Sequence, residues 1–312
     1  MYKDERGIER SLVRKVLNKF SLTITTGYGR TFYSHDVDQF SLLQKGNNLY
    51  IIENSELTAS GPNTGYSSWM TDPQYTEGLF TGADDVLINT DTADISFKAK
   101  GTSIPLMLSL HYNINRFRLG LGFAAEYHII KTYSPEFNVN YLNNYEASTE
   151  STLQTKFFGT VGARIYDYWD YSFIIDAQFG KHNRGGAFNK NVMEQGLYFN
   201  VGLPIEKNLS EYFRLVLRPS YEFSNYTINL PESLTPVKHK TPAFFVQAGV
   251  SLTFPEIPRC PIKSCHTQMK HVHFGREYRG QPLPKKQNPG YGENHPELEM
   301  YKGRKKGERN KL

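Results

Sequence analysis

The sequence predicts an all-β fold: an eight-stranded antiparallel transmembrane β-barrel with an N-terminal amphipathic helix and a mostly irregular C-terminal tail. Three observations carry this. The first is an unbroken alternation from Phe117 to Ile129. Phe117, Leu119, Leu121, Phe123, Ala125, Tyr127 and Ile129 share one face, and Arg118, Gly120, Gly122, Ala124, Glu126 and His128 share the other. Ordinary strands run to about 5–6 residues, whereas a tilted strand crossing a bilayer needs about 9–11. The second is that connectors between such segments are by turns short and long, the habit of a barrel with tight turns at one mouth and loops at the other. The third is the crowding of aromatic residues at strand ends: Tyr28, Phe32 and Tyr33; Tyr166, Tyr168, Trp169 and Tyr171; Tyr221, Phe223 and Tyr226. Such girdles belong at the two membrane–water interfaces.

Composition agrees. Hydrophobic residues make up 38% of 312, mean hydropathy is −0.54, and no run of eighteen apolar residues occurs, so no segment is apolar enough to cross a membrane as a helix. A barrel tolerates this because half of each strand faces a polar interior.

In chain order, residues 1–19 form the first unit. From Glu5 to Phe20 the apolar residues Ile8, Leu12, Val16 and Phe20 recur every fourth position, with Arg6, Arg10, Arg14, Lys15 and Lys19 on the flanks. This spacing predicts an amphipathic helix lying on anionic head groups. The opening MYKDERGIER has no apolar core and no cleavage site. It does not read as an export signal, and the expectation is that a presequence is missing from this chain.

The barrel occupies 20–254. Its first strand runs from about Phe20 to Tyr33 and leads into a loop, 34–96, with ten acids against Lys45 alone, a net of −9. That loop is too long for a plain connector and carries apolar pieces such as Leu49–Ile52 and Val86–Ile88, so it is expected to fold as a small cap. Strand two descends through Ile104, Leu106, Leu108, Leu110 and Tyr112, and strand three is the Phe117–Ile129 segment. Strand four carries Phe157, Val161, Ala163 and Ile165 on its outer face; strand five carries Phe173, Ile175, Ala177 and Phe179. Strands six, seven and eight follow with Leu197–Ile205, Phe213–Tyr221 and Phe244–Phe254. Pro105, Pro204 and Pro219 fall within strands, and each removes a ladder donor.

The faces turned inward carry Arg118, Glu126, Arg164, Asp176, Arg214, Arg218 and Glu222, with His111 and His128. Eight strands enclose a lumen that side chains can fill, so these charges are expected to pair and seal it rather than line a pore. His35 and Asp36 follow the first strand at the outer face, but a general base needs a nearby nucleophile or acid partner, a lone loop histidine is expected to be solvated, and no enzyme activity is expected. Asp84, Asp85, Asp91 and Asp94 offer carboxylates for calcium without EF-hand spacing.

The extension 255–312 holds 13 basic residues from Glu256 onward against 6 acidic ones. Pro255 and Pro258 end the last strand, and too few apolar residues follow to bury a core, so this tail is expected to order only on a partner. Its anchors would be Phe274, Tyr278, Tyr291 and Tyr301, followed by the basic run Lys302, Arg304, Lys305 and Lys306. Cys260 and Cys265, the only cysteines, stand before His266, His271 and His273. These are zinc-ligand types, but an oxidising compartment makes a small disulfide loop the expected state, and no cofactor is expected to be required. The basic end has the composition of a nucleic-acid patch, yet its location argues for acidic protein, lipid head groups or cell-wall polymer instead.

The strand layout resembles the small eight-stranded outer-membrane barrels of Gram-negative bacteria over residues 20–254, some of which are lipid-modifying enzymes; the helix before strand one is similar to that of the lipid A palmitoyltransferases. Their acyl chain needs an apolar lumen, and this one is charged. With the Cys–His cluster and the segment FGREYRGQPLPKKQNPGYGENHP, the chain also resembles accessory subunits of Bacteroidota outer-membrane machines, the barrel-assembly (BAM) machine ahead of the type IX secretion apparatus. The resemblance implies a location in the bacterial outer membrane, periplasmic termini, extracellular long loops, and as partners outer-membrane lipid, a larger barrel and periplasmic subunits or lipoproteins. An outer-membrane adhesin is the remaining alternative.

Overall fold

Eight long strands pair in sequence and close on themselves in a computed structural model of the chain. It describes residues 2–3, 9–37, 39–58, 61–89, 96–130, 132–136, 142–145, 151–233, 235–265, 267, 270–280 and 282–285. The ring consists of β1 (Phe20–Asp36), β2 (Ser96–Ile114), β3 (Phe117–Ile129), β4 (Ser151–Tyr168), β5 (Tyr171–Asn183), β6 (Met193–Gly202, continued by Ile205–Asn208), β7 (Phe213–Asn229) and β8 (Ala243–Thr253). Each pairs antiparallel with the next, and β8 returns to β1 from Thr253↔Ser21 to Ala243↔Thr31. Closure leaves no unpaired edge, which is what lets a polar backbone stand in an apolar surround.

The outer wall follows from period 2. On β2, Ile104, Leu106, Leu108 and Leu110 are exposed, while Ser103, Met107, Ser109 and His111 between them are buried in the lumen. Leu121, Phe157, Phe179 and Leu197 continue the apolar belt around the ring. The three prolines are accommodated in different ways. Pairing of β2 with β1 lapses at 104–105, β6 is interrupted at Leu203–Pro204, and Pro219 stays in register opposite Val246. A bulge between Arg164 and Tyr166 turns both Tyr166 and Tyr168 outward at the short-turn mouth.

At the long-loop mouth the eighth strand begins earlier than its apolar pattern suggests. Pro236–Lys240 already pairs with β7 and with β1, and the chain bends at Thr241–Pro242 before β8 proper. Above this rim, residues between β1 and β2 form a five-stranded sheet in the order 86–88, 40–45, 48–53, 64–67, 74–77. Its buried Phe40, Leu42, Ile51, Tyr66, Trp69 and Met70 belong to one cluster with Phe97, Tyr133, Tyr226, Ile228 and Val237 of the barrel rim. Tyr226 Oη donates to the Met70 carbonyl (3.2 Å) and Asn189 N to the Thr71 carbonyl (3.0 Å), locking the cap over its own barrel.

The other mouth departs from expectation. The helix α1 covers only Leu12–Leu17, not Glu5 to Phe20. Ser11 caps it by accepting from Arg14 N, and Glu9–Arg10 is drawn instead into a small sheet with Tyr2–Lys3, Arg276–Tyr278 and His271–His273. Residues 4–8 lie outside the described residues. The same sheet shows that the first part of the tail is folded on the chain itself, which corrects the expectation that it orders only on a partner.

Candidate functional site

Two groups of side chains carry chemistry: the lumen and the Cys–His cluster of the tail. In the lumen the charges pair in tiers. Nearest the short turns, Arg118 Nη1 meets Glu206 Oε1 at 2.6 Å and Arg214 Nη1 meets Glu206 Oε2 at 3.3 Å. Next, Arg218 grips Asp176 with two nitrogens, Nε to Oδ2 at 3.0 Å and Nη2 to Oδ1 at 2.7 Å, and donates to Asn200 Oδ1 at 2.7 Å. A layer of Met107, Ala124, Phe158 and Tyr198 crosses the centre. Beyond it, Lys156 Nζ bridges Glu126 Oε2 (2.7 Å) and Glu222 Oε2 (2.8 Å) and lies over the rings of Tyr198 and Phe245. Arg184, near the cap, donates to Thr241 Oγ1 at 2.7 Å and stacks over Tyr226.

Six of the seven inward charges named from the sequence fall in these tiers. Arg164 does not. It lies at the short-turn mouth of the lumen, lining one cavity with Arg118, Glu206 and Arg214, where it pairs with Asp167 at 3.5 Å and donates to the Asn115 carbonyl. Sequence reading passed over Lys156, Glu206 and Arg184. Lys156 is inward by the same alternation that exposes Phe157, so the pattern could have found it. Glu206 is inward by the same alternation that turns Leu203 and Ile205 outward, so the pattern could have found it as well. Room for the Arg218–Asp176 pair comes from Gly202, where a Cβ would stand 2.6 Å from both Arg218 Nη2 and Asp176 Oδ1.

His35 is not the solvated loop histidine expected. It is the last inward residue of β1, wholly buried, with its Nδ1 against that of His239 and its ring between Trp69 and Tyr133. Of the carboxylates that could offer calcium a site, Asp85 accepts from Gly82 N at 2.7 Å, and Asp91 and Asp94 lie outside the described residues.

In the tail, Pro255 accepts from Arg14 Nη1, and Cys260 N donates to the Arg279 carbonyl while Arg279 N donates to that of Pro258. This ties the loop holding both cysteines alongside the strand Arg276–Tyr278. The hairpin partner, His271–His273, places both imidazoles on one face because they are two residues apart, with Val272 exposed on the other. A turn in which Cys265 N donates to Ile262 O brings the second thiol back under them. Cys265 Sγ lies 3.3 Å from His271 Nε2 and 3.3 Å from His273 Nε2, and the ligand atoms of Cys260, Cys265, His271 and His273 all fall within 4.8 Å of one another. Hydrogen bonds from His273 first, and then Thr267, lower the Cys265 thiol from its ordinary value to about 6. The expected disulfide is not formed: both cysteines are free, and both imidazoles stand beside the sulfurs. No other group of three or more such ligands occurs among the described residues.

Of the remaining predicted tail residues, Tyr278 lies near both imidazoles, at 6.5 and 6.1 Å between ring centres. Phe274 stands at the hairpin tip, 97% exposed. His266, Tyr291, Tyr301, Lys302, Arg304, Lys305 and Lys306 lie outside the described residues. The tail is braced on the barrel by Lys270–Glu211 (3.6 Å), by Arg279 over the ring of Tyr212, and by Ser210 Oγ donating to the Leu283 carbonyl.

No protein-family model matches the sequence, and no curated protein matches it. Among solved structures, it is similar to the outer membrane protease OmpT from Escherichia coli, at 10% identity and a TM-score of 0.32 over 75% of this chain and 96% of that one. It is similar to the outer membrane protein OprG from Pseudomonas aeruginosa, at 11% identity and a TM-score of 0.38 over 75% and 96%. The translocator domain of the autotransporter NalP from Neisseria meningitidis gives 12% identity and a TM-score of 0.24 over 75% and 88%. The strand pairing and the burial pattern of this chain carry the reading that follows, not these likenesses.

Proposed function

We infer that this chain is a non-catalytic outer-membrane barrel subunit that scaffolds a larger envelope complex, with outer-membrane protein assembly as the favoured setting and type IX secretion as the alternative. The observation that carries the reading is Phe274. It is a bulky residue in the left-handed region (φ 50°), beside Gly275 (φ 74°), in the two-residue turn of the hairpin 271–278, and nearly all of its surface is open. Asn or Gly would serve such a turn at lower cost, so a phenylalanine there has the character of a docking anchor.

Three further features support it. The apolar belt with aromatic ends suits a bilayer, and the tight-turn mouth faces the periplasm in barrels of this class. The tiers of ion pairs fill the lumen, which leaves the barrel as a platform rather than a conduit. The cap covers the barrel's own mouth, and His35 is enclosed beneath it against His239, Trp69 and Tyr133, which speaks against the lipid-modifying alternative. On this reading the partners are a larger outer-membrane barrel and periplasmic subunits or lipoproteins, met through the hairpin tip and the basic end.

The test is a mild-detergent pull-down from the native membrane with the full chain, Phe274→Ala and a chain truncated after Phe254. Partners are expected with the full chain, at reduced yield with Phe274→Ala and absent with the truncation. Equal recovery from all three would remove the scaffold reading, and loss of a lipid modification in His35→Ala would favour the enzyme instead.

A further inference from the structure

We propose that Cys260, Cys265, His271 and His273 together bind one zinc ion in a closed, structural site that holds the first part of the tail in its fold. The donors are two sulfurs and two imidazole nitrogens, the set that tetrahedral Zn²⁺ takes in structural sites. With Zn–S of about 2.3 Å and Zn–N of about 2.0–2.1 Å, tetrahedral angles separate neighbouring S and N ligand atoms by about 3.5 Å. Both imidazoles lie at 3.3 Å from Cys265 Sγ, and all four donor atoms fit within 4.8 Å. The edges of one coordination tetrahedron are therefore already nearly in place.

The surroundings explain why the tail needs such a centre. Its hairpin strands have three residues each, and Ile257 is the one buried hydrophobic among the described residues beyond 254. A segment this small does not bury enough apolar surface to offset the entropy of ordering it. Metal binding supplies that free energy, because ligation and folding are then one event. Four protein ligands leave no open position, so the ion is structural and not catalytic. The spacing departs from that of zinc fingers, with the two histidines adjacent on a strand face rather than a helical turn apart. That departure is why a search by spacing passes over it. Binding displaces whatever thiol protons remain on Cys260 and Cys265, and no electron is transferred. In an oxidising compartment the ion also occupies the two sulfurs that a disulfide would need.

The experiment uses the full chain, isolated in detergent without reductant. Zinc content is measured first, and then, after chelation, the number of thiols open to alkylation. One zinc per chain and two alkylatable cysteines are expected. Titration of the stripped protein with Co²⁺ alone is expected to give the visible d–d bands of a tetrahedral thiolate–imidazole site, saturating at one equivalent and abolished by added Zn²⁺. Cys265→Ser and His273→Asn should each lose that saturating signal, with heat-modifiable electrophoretic mobility confirming that their barrels are folded. A Cys260–Cys265 disulfide in the isolated protein, or Co²⁺ binding by the free-thiol protein that does not saturate at one equivalent with tetrahedral bands, would overturn the proposal.

Discussion

The barrel and the tail solve the same problem with opposite means. Every barrel strand has two neighbours, so its backbone groups are satisfied by closure and its stability is spread over long ladders such as the one from Ser96↔Asp36 to Tyr112↔Phe20. The tail has strands of three residues, parallel contacts at Glu9↔Arg276 and Arg259↔Arg279, and few buried side chains among its described residues. A few contacts with the barrel brace it, and four of its side chains gather in one Cys–His cluster. A distributed structure tolerates local damage, whereas a concentrated one can be undone by a single ligand.

The lumen sharpens that contrast, because there the barrel also concentrates its risk. Lys156→Met leaves Glu126 and Glu222 buried without their shared cation, and should cost about 3–5 kcal/mol, read as a lower urea midpoint in detergent. Replacing both glutamates by glutamine in the same chain should recover most of the loss, because a neutral set is no longer desolvated charge. Gly202→Ala is expected to be smaller, about 1–3 kcal/mol, since the new methyl must displace the Arg218–Asp176 pair without removing it. Phe274→Asn should act in the opposite sense, stabilising the hairpin by about 1 kcal/mol through easier occupation of the left-handed turn while weakening partner capture. Arg164→Ala should move the unfolding midpoint least, by less than about 1 kcal/mol, since its pair with Asp167 is solvent-exposed.

The same division governs what the sequence makes legible. Period 2 is a local signal, so the strand from Phe117 to Ile129, the belt residues and the inward charges can be read directly. It fails where local geometry shifts the count. The bulge between Arg164 and Tyr166 moves the outward face from Ile165 to Tyr166 and Tyr168, and the bend at Thr241–Pro242 hides the first five residues of the eighth strand. The tail is less legible still. Ligand types at 260–273 are visible in the sequence, but the choice between a disulfide and a metal cluster depends on a hairpin whose register and pairing with Arg10's neighbourhood no local pattern announces. The helix from Glu5 to Phe20 fails for the same reason: its repeat of apolar residues is real, yet non-local pairing at Glu9–Arg10 takes precedence over it.

Hydrogen exchange on the full chain in detergent, read by mass spectrometry with and without a zinc chelator, tests most directly whether barrel and tail are held by separate means. The account predicts that amides of 257–280 lose protection on chelation while β1 to β8 keep theirs unchanged. Unaltered protection of the tail, or loosening of the barrel together with it, would contradict the account.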